Sequence, residues 1–252
     1  MRFLKIIVVL FFLISIKSFA TAQAPDYLII EKDTLAIQGN PLEEYFKIHP
    51  IPDNLITSIS TGNWRGYIAY FKFLDGNLVV ENIYKEDRKE NDNGGSSYFL
   101  TSIYKDVFGS NMNFKCDFYS GLLICPSGKI VEYVHMGYSS LYENYNLIEM
   151  KKGVSVKSKK MTGDEFRSFK KEYFKYFKKT DEYKVKAKEF KEMIIQSNLS
   201  NDGFRTGNPG TGRENESLKK KDAEFKVDKQ VESFMFIYLN DYIKTIEIPI
   251  TN

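Results

Sequence analysis

The sequence predicts an α+β fold in which antiparallel β-hairpins and a meander build a sheet and C-terminal helices pack against it. Three observations predict it. Short alternating or apolar runs separated by turn residues fill the chain from about residue 25 to 160. From Thr162 the apolar period changes from two to three and four, as a helix requires. Aromatic residues make up 15% of the chain, 17 Tyr and 20 Phe against one Trp, a composition that favours strands and cores over linkers.

The elements follow in chain order. Tyr27 to Ile30 and Thr34 to Ile37 flank Lys32-Asp33, a spacing that pairs Ile30 with Leu35 and Leu28 with Ile37. Asn40-Pro41-Leu42-Glu43 offers a capping side chain, a proline at the first helical position and an acid in the first turn, so a short helix is expected through Phe46. Tyr67 to Leu74 and Asn77 to Tyr84 meet at Asp75-Gly76, which sets Phe73 opposite Leu78 and Phe71 opposite Val80. Lys85 to Ser96 has no apolar period and is expected as a mobile loop; Leu100, Ile103, Tyr104 and Val107 then follow at helical spacing, with Ser97 as cap and Gly109 as stop.

Phe114 to Tyr119, Leu122 to Cys125 and Ile130 to Met136 read as a three-strand meander joined by Ser120-Gly121 and Pro126-Ser127-Gly128. Asn146 to Met150 and Val154 to Val156 form another pair around Lys151-Lys152-Gly153. Thr162 and Glu165 make a capping box ahead of the stripe Phe166, Phe169, Tyr173 and Phe177, continued after a break at Thr180 by Tyr183, Ala187, Phe190 and Ile194. A last helix from Asp222 to Lys244 carries Val231, Phe234, Tyr238 and Leu239 inward. The expected organisation is a leader at 1–22, a β-rich domain at 23–160, a lysine-rich helical segment at 161–197, a flexible loop at 198–217, and a final helix and tail at 218–252.

The leader reading rests on Arg2 and Lys5, an apolar run from Ile6 to Ile16 too short to span a bilayer, and Ala20-Thr21-Ala22 before the cut. It implies a periplasmic or secreted protein with no transmembrane segment in the mature chain. Arg2, Lys5 and Lys17 account for the whole formal charge of +3, so the remainder is neutral, which argues against a nucleic-acid partner. Charge is nevertheless polarised: Lys151 to Glu192 holds 15 Lys and Arg against 7 acids. A solvated helix face accounts for it, and an acidic or anionic partner is the alternative.

Candidate chemistry is sparse. A two-residue turn at Ser120-Gly121 would place Cys116 opposite Cys125 at a non-hydrogen-bonded site, with α-carbons about 4.5 Å apart, within disulfide reach. The only histidines are His49, beside Pro50 in an expected loop, and His135, the one plausible imidazole base. No histidine-rich metal site can be built from two, and no cofactor motif is present: Gly207 to Arg213 lacks the ending of a phosphate loop. Trp64-Arg65-Gly66-Tyr67 stands at the mouth of a hairpin, where Trp64, Arg65 and Tyr67 could stack on a sugar or planar ligand. Tyr138 and Tyr142, with Tyr145, form a second aromatic group.

Those motifs, with Tyr119-Ser120-Gly121, Pro126-Ser127-Gly128-Lys129 and Tyr133 to Tyr138, resemble a family of exported, functionally uncharacterised proteins of Gram-negative bacteria over about residues 25 to 175. The resemblance implies export and a shared sheet, and brings no activity, cofactor or catalytic residue. The expectation is therefore an exported binding or interaction module with a protein or glycan ligand in the cell envelope. The alternatives are a hydrolase using His135 with a neighbouring carboxylate and an envelope adaptor docking through its lysine-rich helices.

Overall fold

In a computed structural model, residues 23–249 are described except for positions 53, 57–59, 92–93, 135 and 203–215. The expected leader at 1–22 lies outside the described residues, as does His135. The described residues form nine strands and five helices: β1 (Asp26–Ile30), β2 (Asp33–Ile37), α1 (Leu42–Phe46), β3 (Tyr67–Leu74), β4 (Asn77–Glu90), β5 (Ser96–Ser102), α2 (Tyr104–Phe108), β6 (Phe114–Lys115), β7 (Gly121–Glu132), β8 (Leu141–Lys151), β9 (Val154–Thr162), α3 (Gly163–Phe177), α4 (Asp181–Asp202) and α5 (Glu216–Ile237). The fold is α+β, as the sequence predicts, with most of the helical residues after the sheet.

The strand order is β2-β1-β3-β4-β9-β8-β7, with β5 and β6 pairing with β4 off that path. All pairs are antiparallel except β1 with β3. The ends of this order meet again, since the Gln38 amide donates to the Ile124 carbonyl at 2.8 Å. The sheet thus curls toward closure. Leu28, Phe71, Val80, Leu123, Cys125 and Ile148 fill the enclosed side.

β7 is buried on both faces over its first half, Gly121 to Pro126. Leu123 and Cys125 point into the enclosed core, while Leu122 and Ile124 face a second core built with the helices. That is why Leu122-Leu123-Ile124-Cys125 is apolar without alternation. On the helical side, Phe166, Phe169, Tyr173 and Phe177 of α3 are buried, and the Phe166 ring stacks on Tyr145 at 3.9 Å. Burying each large side chain stabilises the layer by roughly 1.5 to 3 kcal/mol. The capping box forms: the Glu165 amide donates to Thr162 Oγ1, and the Thr162 amide donates to Glu165 Oε2.

The Asp75-Gly76 hairpin has the expected register, Phe73 with Leu78 and Phe71 with Val80. The β8–β9 hairpin also forms, on Lys152 and Gly153, whose φ of 48° and 74° match a two-residue turn of the primed type. A side chain at position 153 would meet the Cys116 carbonyl oxygen at 2.7 Å, so only glycine fits.

Several expectations are corrected. The first hairpin turns at Glu31-Lys32, with Glu31 at φ 55°, so Leu28 pairs with Leu35; the register moves by two and keeps each side chain on its expected face. Lys85 to Ser96 is no loop over most of its length. β4 runs on to Glu90 and pairs with β5 as an exposed ribbon, whose two wet faces leave no apolar period. Leu100 therefore lies in a strand, and the helix is confined to Tyr104–Phe108 before Gly109.

The meander is replaced by a different pairing. Phe114-Lys115 joins β4, and β7 passes straight through Pro126-Ser127-Gly128 as one strand against β8, absorbing the irregularity as a register shift after Ser127. Cys116 and Cys125 are consequently not cross-strand partners. Both are buried free thiols, and the expected disulfide is absent. The final helix starts at Glu216 and stops at Ile237, after which Leu239–Tyr242 forms a single tight turn; the expected flexible loop narrows accordingly, and 203–215 lie outside the described residues.

Among the described residues no helix is long and apolar enough to cross a membrane. Lysines of α3 and α4 are laced into ion pairs, Lys175 with Glu172, Lys184 with Asp181, Lys178 with Glu232 and Lys191 with Asp228. Two of these tie the helices to α5.

Candidate functional site

The Trp64-Arg65-Gly66 bend delivers two adjacent side chains to opposite environments. Trp64 projects outward, 62% exposed, while Arg65 turns inward. Arg65 Nη1 lies 3.0 Å from both Asp26 carboxylate oxygens, and Nη2 donates to the Ala24 carbonyl at 2.9 Å. Asp26 Oδ1 also accepts the Ala69 amide at 2.9 Å. Burial works against the guanidinium charge, and the Asp26 carboxylate together with the Tyr67 and Tyr138 phenols outweighs it, holding the Arg65 pKa above its ordinary value. The guanidinium carbon sits 4.8 Å from the Tyr67 ring centroid, and the Tyr67 hydroxyl donates to Glu43 Oε1 at 2.7 Å. Arg65 and Tyr67 are thus engaged inside the fold, and neither lines the cavities beside Trp64.

Trp64 stands on the wall of a cleft of about 510 Å³ between α1 and the tail segment 239–244. Glu43, Glu44 and Lys47 face it from one side; Asn240, Asp241 and Lys244 face it from the other. A smaller hollow of about 290 Å³ adjoins it, sharing Asn40, Trp64, Asn240 and Asp241 and adding Tyr138 and Gln23. The structure therefore brings Trp64 and Tyr138 together. Tyr138 donates to Asn40 Oδ1 at 2.8 Å, and burial pushes its pKa up. Tyr142 belongs elsewhere: it is half-buried, edge-on to Tyr145, and lines neither cavity. His49 is exposed and stacks beside Tyr45.

Residues that sequence reasoning missed complete the site. Asn240 is 5% exposed; its Nδ2 donates to Gln38 Oε1 at 3.4 Å, and its Oδ1 has no partner among the described residues. Gln23 Nε2, on the same hollow, is likewise unpartnered. Buried polar atoms ordinarily find partners, so two such atoms at one hollow suit a polar ligand. Asp241 opens to the cleft yet is ringed by protein. Burial pushes its carboxyl up to about 6, with Lys244, Arg65 and Lys47 opposing and Glu43 reinforcing. Lys244 Nζ donates to Glu44 Oε1 at 3.2 Å across the cleft.

The cleft's charges nearly balance: Glu43, Glu44, Glu182 and Asp241 stand against Lys47, Lys186 and Lys244. Chemically it can hydrogen-bond hydroxyls and stack a ring on an indole. Among the described residues no group of three or more His, Cys, Asp or Glu converges as a metal site would need. Compared with protein-family models, curated proteins and solved structures, the chain matches none.

Proposed function

We propose that the protein is an extracytoplasmic binding protein whose cleft takes a neutral, polyhydroxylated ligand, a glycan segment, with a sugar ring against Trp64. The observation that carries this reading is the exposed Trp64 indole held at the rim of a cleft whose acids and bases nearly cancel. A near-neutral lining disfavours a strongly charged ligand, whereas carboxylates, ammonium groups and amides together suit hydroxyls as donors and acceptors. The leader-like start of the chain supports the extracytoplasmic placement. The ion-paired lysines of α3 and α4 support a solvated helix face over a docking surface.

Trp64 is the only tryptophan, so its fluorescence reports the site directly. Titrating the purified protein with chito-oligosaccharides and soluble peptidoglycan fragments should shift emission to the blue and shield the indole from acrylamide. Asp241→Asn, which keeps the reporter, should weaken the effect. An emission spectrum and quenching constant unmoved by every glycan would refute the reading.

A further inference from the structure

Among the described residues Lys170 on α3 is the other buried cation, and its situation differs from that of Arg65. It is 8% exposed, yet no carboxylate lies within ion-pair distance among the described residues. Its Nζ sits 5.1 Å from the Phe236 ring centroid. Other α3 lysines reach acids on the surface, such as Lys175 with Glu172 and Lys178 with Glu232. An ammonium taken out of water without a counter-ion is costly. Burial pulls the Lys170 pKa down to about 8, with only the more distant Asp241 pulling it back up.

Lys170 and Phe236 both line a cavity of about 390 Å³ between α3, Val134 with the 138–141 segment, and the end of α5. This cavity is distinct from the Trp64 cleft, although Tyr138 lines both it and the adjoining hollow. Its size lies within the range of about 300 to 1,000 Å³ for small-molecule sites. The wall is largely apolar, with Val134, Leu141, Phe166 and Ile237 among its residues. Its rim is basic: Lys171 is exposed there, and Arg167 is held by Glu132 at 2.8 Å. The Ser139 and Ser140 hydroxyls are occupied by backbone groups, Ser139 on the Ile237 carbonyl and Ser140 on Val134.

We propose that this cavity binds a small organic carboxylate with an apolar or aromatic body, its carboxylate paired with the Lys170 ammonium and its body against Phe166, Leu141 and Phe236. The apolar wall selects the organic carboxylate over a bare oxyanion such as phosphate, which would gain the charge and waste the wall. The cation–π contact already holds the ammonium in place, so no side-chain ordering remains to be met on binding.

The test uses phenylacetate and, separately, inorganic phosphate, titrated calorimetrically into the purified full chain and its Lys170→Met and Lys171→Ala variants. Phenylacetate is expected to bind saturably, with Lys170→Met weakening it roughly tenfold or more and Lys171→Ala by a few-fold at most. Lys170→Met removes an uncompensated buried charge, so its melting temperature should equal or exceed that of the parent, which separates lost binding from lost folding. Trp64 emission should not move. No saturable phenylacetate binding at millimolar concentration, equal affinity in Lys170→Met, or tighter binding of phosphate than of phenylacetate would each overturn the proposal.

Discussion

Arg65 Nη1 bridges both carboxylate oxygens of Asp26 at 3.0 Å, and neither side chain reaches solvent. The pair fastens the first strand to the bend that carries Trp64, joining residues 39 positions apart. Its geometry satisfies Asp26 on two sides, through Arg65 and the Ala69 amide.

Breaking that pair from one side strands a charge. Arg65→Met or Asp26→Asn should cost about 3 to 5 kcal/mol in urea unfolding, because the remaining group keeps its desolvation penalty and loses its partner. The double variant Asp26→Leu with Arg65→Met should recover much of that loss, and a strictly additive double variant would show that the two side chains do not act as a unit.

Asp241 makes stability depend on pH in the direction opposite to most carboxylates. Its folded carboxyl titrates at about 6, above the unfolded value of about 3.9, so the folded state holds the proton more tightly. The stability it contributes is complete below about pH 4 and is lost as pH rises through 6. Asp241→Asn should therefore gain melting temperature over the parent between pH 4 and pH 6 and keep a constant advantage above it. A difference that stays flat from pH 4 to pH 7 would contradict the assignment.

The two thiols should be unreactive while the protein is folded. Burial pushes Cys125 up to about 12 and Cys116 higher still, so almost no thiolate exists near neutral pH. An aromatic disulfide reagent at pH 8 should react negligibly with native protein and titrate two thiols per chain in guanidinium. Finding none after denaturation without reductant would mean the cysteines are paired after all.

Sequence patterns read well where one local rule dominated. Asp75-Gly76 specified its hairpin because the turn chemistry and the alternation of Phe71, Phe73, Leu78 and Val80 agree. Thr162 with Glu165 specified the start of α3 for the same reason. Where two readings competed, tertiary context decided. Pro126-Ser127-Gly128 looks like a turn, yet β7 carries it within one strand as a bulge; Ser120-Gly121 looks like one too, yet Phe114-Lys115 pairs with β4 and Cys125 with Asn146 of β8, which separates the two cysteines. Ser97 to Ser102 has strand-forming residues but no buried face, so its spacing imitated a helix.

The site was half legible. Trp64-Arg65 drew attention because a lone tryptophan before an arginine is conspicuous, although Arg65 is buried against Asp26 and only Trp64 lines the cleft. Asn240 and Asp241 gave no signal, because their role arises from where the chain returns after α5 rather than from their neighbours in sequence.

Gln38 meets Asn240 across 202 positions and Glu44 meets Lys244 across 200, so the two walls of the cleft come from stretches far apart in the chain. Such contacts cannot form during early synthesis, when only the first wall exists. A nascent or prematurely terminated chain can curl much of its sheet and still have nowhere to hold a ligand. Occupancy of the cleft is therefore open only to a chain that has both the 38–47 and the 240–244 stretches folded in place.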